Sequence, residues 1–494
     1  MKETEIRAVN TIRCLSADIV QKAKSGHPGM PMGMAGVAFL LFAKLMRHNP
    51  QNPKWFNRDR LLHLCGYEKM TMSELKSFRQ WGSLTAGHPE YMPDAGIEIT
   101  TGPLGQGIAN AVGLAMAAKY TAAYFNESGF PLVTHKTFVI AGDGCMQEGI
   151  SGEACSLAGH LKLDNLFVIY DSNSITIDGS TSLSFSEDVV MRYRAYGWHT
   201  VVYNGDTEDI SAVEAKLRSE MEKQDKPVLF VFPSVIGYGS PNKAGTKDVH
   251  GSPLGDEELK LTKQNWAWIP IASFNIPAEV HDYFNGIKSR LQKTEADWEQ
   301  LLEKYRQSFP EKHAQFISGA KPSAEAFSKA LPVFDSGEMA TRSASGKVLD
   351  AVMPLFPMIV GGSADLTPSN NTRFKDVQDF MPDNYKGRYI RYGVREHAMA
   401  AINNGISVHG LTRAYGATFL CFSDYARPAI RLAAFVSLSV GVYRYARQYR
   451  TGRGRSYSSA GRASGSIACD TRTACLAPGG CKRNRLCMAD DFNR

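Results

Sequence analysis

The sequence predicts an α/β protein built from two successive parallel-sheet domains. Three observations predict it. Short apolar runs, Lys136–Ala141, Asn165–Tyr170 and Pro227–Val231, each lead into a polar or glycine-bearing turn, the pattern of strands buried on both faces. A helical stretch, Gln147–Leu161, separates the first two runs, so the unit is βαβ and both strand ends fall on one edge of the sheet. The arrangement begins again near Ala340, where Met358–Val360 leads into Gly361-Gly362-Ser363-Ala364-Asp365, followed by Arg388–Arg391 and a helix from about Glu396.

Taken in order, residues 3–24 set Ile6, Val9, Ile12, Leu15 and Ile19 at helical spacing, and Ser25-Gly26-His27-Pro28-Gly29 ends that helix with turn-forming residues. A second apolar helix is expected from Met34 to Met46. Residues 255–325 are polar and helical, with Trp, Glu and Lys, and read as a linker. The expected domains are therefore 1–325, comprising the first sheet and linker, and 326–440. From residue 441 the composition changes to Arg, Ser, Gly, Tyr and Cys without apolar periodicity, the signature of a tail rather than a packed domain.

Charge and cysteine usage narrow the function classes. Of the net +7, residues 441–494 carry +8, from ten Arg and one Lys against three Asp, so residues 1–440 are close to neutral and no nucleic-acid partner is expected. The nine cysteines form no C-x-x-C pair, which argues against a zinc ribbon or a disulfide framework; Cys469, Cys475, Cys481 and Cys487 recur every six residues in the tail. Met1–Arg7 lacks an apolar h-region and no stretch has the length and apolarity of a membrane span, so a cytoplasmic protein without membrane association is expected.

The chemistry concentrates at the strand ends. Asp143 lies between Gly142 and Gly144 at one strand end, and Asn173 lies at the neighbouring one. A carboxylate, an amide oxygen and the Ile175 carbonyl are hard oxygen donors suited to Mg2+, which takes few protein ligands and completes its shell from phosphate and water. Glycine N–H groups and a helix N-terminus can face the phosphate oxygens. Gly-Asp-Gly alone reads first as an ordinary turn; the amide at the adjacent strand end is what brings a metal-diphosphate site level with that reading.

Five motifs then occur in order: Ser25-Gly26-His27-Pro28-Gly29, Thr100-Thr101-Gly102-Pro103-Leu104-Gly105-Gln106-Gly107, Gly142-Asp143-Gly144-Cys145-Met146-Gln147-Glu148-Gly149, Gly361-Gly362-Ser363-Ala364-Asp365-Leu366-Thr367-Pro368-Ser369-Asn370 and Arg395-Glu396-His397-Ala398-Met399. In sequence and order they resemble the transketolases, and the resemblance extends over nearly all of residues 1–440. It implies a thiamine-diphosphate-binding fold of two doubly wound parallel-sheet domains, 1–325 for diphosphate and metal and 326–440 for the pyrimidine, the second incomplete and the usual third domain missing. It implies transfer of a two-carbon ketol unit from a ketose phosphate to an aldose phosphate in the pentose phosphate pathway. It also implies a homodimer whose cofactor lies between the first domain of one subunit and the second domain of the other.

Carried over residue by residue, the resemblance makes Asp143, Asn173 and the Ile175 carbonyl the ligands of Mg2+, Ca2+ or another divalent cation, with Gly142 and Glu148 beside the thiamine diphosphate. Gly102, Pro103 and Leu104 hold the bent cofactor, Phe419, Phe422 and Tyr425 surround its pyrimidine, and Asp365 belongs to the same set. The spacing of three aromatics, read alone, is that of a helical turn in a core. Glu396 hydrogen-bonds a pyrimidine nitrogen and joins His27 and His250 as catalytic residues. His27, His88 and His250 line the substrate channel, and Arg342 and Ser369 grip the sugar phosphate.

Two segments depart from the family pattern. After Asn57-Arg58-Asp59-Arg60 the family continues through a strand and an Asn-Gly-His motif, whereas Leu61-Leu62-His63-Leu64-Cys65-Gly66-Tyr67 follows here at once, so a channel histidine is absent. Near Gly441 the family pattern gives way to the tail, and codons permitted for Ala446 to Ala463, read one base later, can spell the family's His-Asp-Ser-Ile-Gly continuation. A frameshift near Gly441 and an impaired enzyme are therefore expected. The alternatives are a catalytically inactive product of such a gene and a related ketol transferase such as dihydroxyacetone synthase.

Overall fold

A computed structural model describes residues 3–61, 69–222, 225–334, 339–438 and 440–445. The chain forms two compact units interleaved in sequence: 1–108, 135–149 and 164–299 make the first, and 109–134, 150–163 and 300–494 the second. Leu62–Tyr67, within the segment after Arg60 that departs from the family, and the tail from Ala446 with its four cysteines lie outside the described residues.

In the first unit, α1 (Glu3–Ala23) carries Glu3 and Glu5 in its first turn and Lys22 in its last, each the sign that suits the helix dipole there. Five parallel strands follow: β1 (Arg60–Leu61), β2 (Thr137–Gly142), β3 (Leu166–Asp171), β4 (His199–Val202) and β5 (Val228–Phe232), in the order β1-β2-β3-β5-β4. β3 and β5 are buried at every position, which is why their sequences run apolar without alternation. Phe138, Phe167 and Phe230 stack across β2, β3 and β5 with ring centroids 5.3 and 6.5 Å apart, in one core with Val9, Phe39 and Leu40. Burying each such side chain contributes about 1.5–3 kcal/mol. The register sets Gly142 beside Asp171, so the ends of β2 and β3 coincide.

Three elements differ from the sequence expectation. The helix expected over Met34–Met46 is α-helical only for Ala35–Leu40 and widens into a π-turn at Leu41–Leu45, which carries Lys44 between Glu5 and Glu214 at 2.9 and 2.8 Å. Helix α2 (Gln106–Phe125) follows the Gly102-Pro103-Leu104 loop. The helix expected over Gln147–Leu161 is two pieces, a single turn Asp143–Gln147 and then α3 (Gly149–His160), divided by Glu148 in extended conformation. Residues 255–325 are more than a connection: Trp266 and Trp268 are buried with Cys14, Met32 and Ile236, and α4 (Ala278–Ser308) buries Val280, Leu291 and Tyr305. Their polar composition belongs to the outer faces, which dilute the apolar period.

The second unit holds α5 (Thr341–Val352), α6 (Glu396–Val408) and α7 (Ser423–Phe435) around four parallel strands, β6 (Ile359–Ser363), β7 (Tyr389–Arg391), β8 (Arg413–Phe419) and β9 (Gly441–Tyr445), ordered β7-β6-β8-β9. The tail read from residue 441 therefore starts with a strand: Gly441–Tyr445 pairs with Tyr415–Phe419. Its Val, Tyr and Tyr are strand-favouring residues that a search for apolar periodicity passes over. Among the described residues no helix is long and apolar enough to cross a membrane.

Candidate functional site

In the first unit the candidate residues gather where β2 and β3 end. Asp143 is buried; its Oδ1 accepts a hydrogen bond from Tyr170 Oη at 2.6 Å and its Oδ2 one from Ser174 N at 3.0 Å. Burial pushes its carboxyl above the usual carboxylate range, against the opposing pull of the Tyr170 hydroxyl and backbone N–H groups. Ser174 takes φ of 62°, a left-handed conformation that turns the loop back toward Asp143. Asn173 Oδ1 accepts from Ile175 N at 3.0 Å, while its Nδ2 donates to Asp171 Oδ2 at 2.9 Å. Asp171 is wholly buried, and burial pushes its carboxyl up to about 6 despite hydrogen bonds from Ser234 and Asn173.

The Gly102-Pro103-Leu104 loop adjoins this edge. A Cβ at Gly144 would fall 2.9 Å from Leu104 Cδ1, and one at Gly102 would fall 3.3 Å from His88 Cβ. His88 in turn lies against His27, with ring centroids 5.3 Å apart, and the His250 ring is 5.8 Å from that of His27. Burial lowers the pKa of both His27 and His250; at His27 the neighbouring imidazoles and Arg79 add to the effect. Glu148 is exposed at the break before α3.

Several observations test whether a metal-bound diphosphate fits this edge. A Cβ built on Gly142 would meet nothing within 4 Å, so the backbone borders open space where phosphate oxygens would lie. Thr101 Oγ1 and His250 Nδ1 are buried without a hydrogen-bond partner. Among the described residues no cluster of three or more His, Cys, Asp or Glu side chains could hold a metal by itself. A carboxylate, an amide oxygen and a carbonyl are by their chemistry the kind of donor set that leaves room for phosphate oxygens, as Mg2+ requires. The residues fit the group.

In the second unit Glu396 opens α6 and is buried, with Thr418 Oγ1 at 3.4 Å from its Oε1. The start of that helix is held by Glu153, whose Oε2 accepts from Ala398 N at 2.9 Å, and by Arg395, which donates to the Tyr392 carbonyl and Ser156 Oγ. Phe419, Phe422 and Tyr425 form a row with centroids 5.9 and 6.3 Å apart. Phe419 packs against the core of this unit with Tyr415 and Ala417 and is half-buried, as is Phe422, while Tyr425 is 66% exposed. Asp365, at φ of 55° after β6, is exposed, as is Arg342, while Ser369 is half-buried. Close in sequence to Arg342 and Ser369, a cavity of about 350 Å³ is lined by Ser343, Lys347, Asp350, Thr367, Asn371 and Arg373, and neither Arg342 nor Ser369 lines it.

Sequence reasoning passed over Tyr170, Asp171, Thr101 and Glu153. The first two close a strand that reads as core, and only the burial of Asp171 two residues before Asn173 singles it out. Glu153 sits mid-helix with no local signal of its partner.

Comparison with known proteins places these features in context. Residues 4–322 match the family model described as transketolase, thiamine diphosphate binding domain, and residues 337–460 match transketolase, pyrimidine binding domain. The chain is 49% identical over 452 residues to a transketolase of Geobacillus stearothermophilus, covering 88% of this chain and 67% of the relative. With transketolase 1 of Saccharomyces cerevisiae it is 48% identical over 456 residues, 86% of this chain and 66% of the relative. The crystal structure of a Pichia stipitis transketolase in complex with sedoheptulose 7-phosphate superposes with a TM-score of 0.86 at 44% identity, covering 90% of this chain and 68% of that one. The chain thus spans about two thirds of the length of the relatives it matches.

Proposed function

The chain belongs to the transketolase family, enzymes that use thiamine diphosphate to transfer two-carbon ketol units in the pentose phosphate pathway, and we propose that its site residues serve that transfer between sugar phosphates. The observation that carries the reading is the juxtaposition of Asp143 and Asn173 at the paired ends of β2 and β3, beside the open backbone of Gly142. Asp143, Asn173 and the Ile175 carbonyl would hold a divalent cation, Mg2+ or Ca2+, on the diphosphate. Gly102, Pro103 and Leu104 would seat the cofactor's body, and Phe419, Phe422 and Tyr425 its pyrimidine, with Glu148 and Asp365 in the same set.

Bound there, thiamine diphosphate supplies a nucleophilic thiazolium carbon and an electron sink for the ketol carbons. The protein's part is binding, orientation and proton placement. Glu396 sits at a helix N-terminus in a buried setting, where a hydrogen bond between its carboxyl group and a ring nitrogen is stronger than it would be in water. His27 and His250, with lowered pKa, are mainly neutral at pH 7, so each imidazole has one nitrogen to donate to a sugar hydroxyl and one to accept from it. His88 completes the cluster, and Arg342 and Ser369 would bind the substrate phosphate. A homodimer in the cytoplasm, with each cofactor shared between two copies, is part of this proposal.

A second reading concerns the chain's competence. We propose that loss of the strand and Asn-Gly-His segment after Arg60 and a reading-frame change near Gly441 leave it with turnover far below that of an intact relative. The abrupt junction after Arg60 and the codon relation over Ala446–Ala463 support it. If the gene's shifted frame does not spell the family continuation, the frame change is refuted. The test of function is a coupled assay of purified protein with xylulose 5-phosphate, ribose 5-phosphate, Mg2+ and thiamine diphosphate. Turnover that disappears in Glu396→Gln supports ketol transfer; none from folded protein supports the inactive product.

A further inference from the structure

The Asn173 side chain has two chemically opposite ends, an acceptor oxygen and a donor NH2, and only the oxygen can serve a cation. Two neighbours fix which end faces where. The Asp171 carboxylate accepts only, so the edge turned to its Oδ2, at 2.9 Å, must be Nδ2. The Ile175 N–H donates only, so the edge turned to it, at 3.0 Å, must be Oδ1. Asp171 is itself held: Ser234 Oγ donates to its Oδ1, it is wholly buried at the end of β3, and the backbone on either side is fixed by the sheet and by Ser172 N donating to the Phe232 carbonyl at 2.9 Å. A buried carboxylate is costly unless its hydrogen bonds are made, and here both oxygens are used.

We propose that Asp171 is a positioning residue for the divalent cation, acting through Asn173 by locking the amide with its oxygen on the metal side. The proposal rests on the reading of Asp143 and Asn173 as a metal-diphosphate site and adds to it a residue that touches neither metal nor cofactor. Without Asp171 only the Ile175 N–H still favours this orientation, and the turned-over amide, which presents NH2 to the cation, becomes accessible.

The test is a double-mutant cycle read as Mn2+ affinity in the presence of thiamine diphosphate, measured by electron paramagnetic resonance, with thermal melting in the absence of metal to establish folding. A carboxylate at position 173 presents oxygen whichever way it turns, so Asn173→Asp removes the need for orientation. Asp171→Ala should weaken Mn2+ binding at least about tenfold in the Asn173 background and less than about threefold in the Asn173→Asp background. Asp171→Asn, which keeps an acceptor oxygen while losing the charge, should recover most of the affinity. Ser234→Ala loosens Asp171 by a milder change and should show the same dependence on residue 173, which keeps the test available if Asp171→Ala does not fold. Equal losses in both backgrounds, or no recovery in Asp171→Asn, would overturn the positioning role and leave the site reading intact. Wild-type protein that binds no Mn2+ with thiamine diphosphate would overturn the site reading and the proposal with it.

Discussion

Gly405 of α6 lies directly against Asn110 of α2: a Cβ there would fall 1.9 Å from the Asn110 carbonyl oxygen. The relationship is reciprocal, since a Cβ on Gly113 of α2 would fall 2.0 Å from the Ile402 carbonyl oxygen of α6. Two glycines thus seat on its neighbour the helix that begins with Glu396. In an open helix interior Gly→Ala stabilises by about 1 kcal/mol. Here the clash is with backbone, which cannot swing aside, and overpacking of this kind costs about 1–3 kcal/mol or more. Gly405→Ala should therefore lower unfolding stability in urea, while Gly286→Ala on α4, where a Cβ meets nothing within 4 Å, should leave it unchanged or raised.

The buried pair Asp18 and Lys263 makes a second stability prediction. Lys263 Nζ lies 2.5 Å from Asp18 Oδ1 and also donates to the Ala272 carbonyl, while Asp18 Oδ2 accepts from Phe274 N. Removing one partner strands the other charge in the core, so Asp18→Leu or Lys263→Met alone should cost about 3–5 kcal/mol. The double variant should cost clearly less than the two losses added, as read by denaturant unfolding.

His48 predicts a pH dependence. It is buried against Phe42, and burial pushes its imidazole down from the ordinary 6.5 to about 4, the Met46 carbonyl opposing in part. The unfolded chain binds the proton more readily, so the stabilising effect of keeping His48 neutral is complete above about pH 6.5 and is lost as pH falls toward about 4. The full effect is on the order of 3 kcal/mol. His48→Gln should flatten the fall in melting temperature between pH 7 and pH 4.5.

Much of this architecture was legible. β2, β3 and β5 stand out because strands buried on both faces leave no polar alternation, and the turns after β2 and β3 carry Gly142-Asp143-Gly144 and the approach to Asn173. Gly441–Tyr445 does not, because five residues are too few to show a period and adjoin a polar run. The helices between 255 and 325 resemble a linker in sequence for the opposite reason: long exposed faces outweigh Trp266, Trp268 and Val280 in composition. Asp171 and Glu153 were invisible because their meaning lies in partners, Asn173 and Ser234 for one and Ala398 N for the other, that only the fold supplies.

Glu396 separates chemistry from folding. Its carboxyl is buried beside Thr418, and Gln preserves its shape and its ability to accept from that hydroxyl. Glu396→Gln should therefore melt within a few degrees of wild type while losing about 10²-fold or more of any ketol transfer, the scale of a lost acid-base group. Equal turnover in both proteins would remove Glu396 from the mechanism.

Calorimetric titration of thiamine diphosphate into the purified protein, with Mg2+ and with chelator, for wild type and Asp143→Ala, reads out whether the ends of β2 and β3 bind a metal-diphosphate. The expected result is saturable binding that requires the divalent cation and is lost in Asp143→Ala. Binding that survives both chelation and the substitution, or no binding by folded wild-type protein, would contradict it.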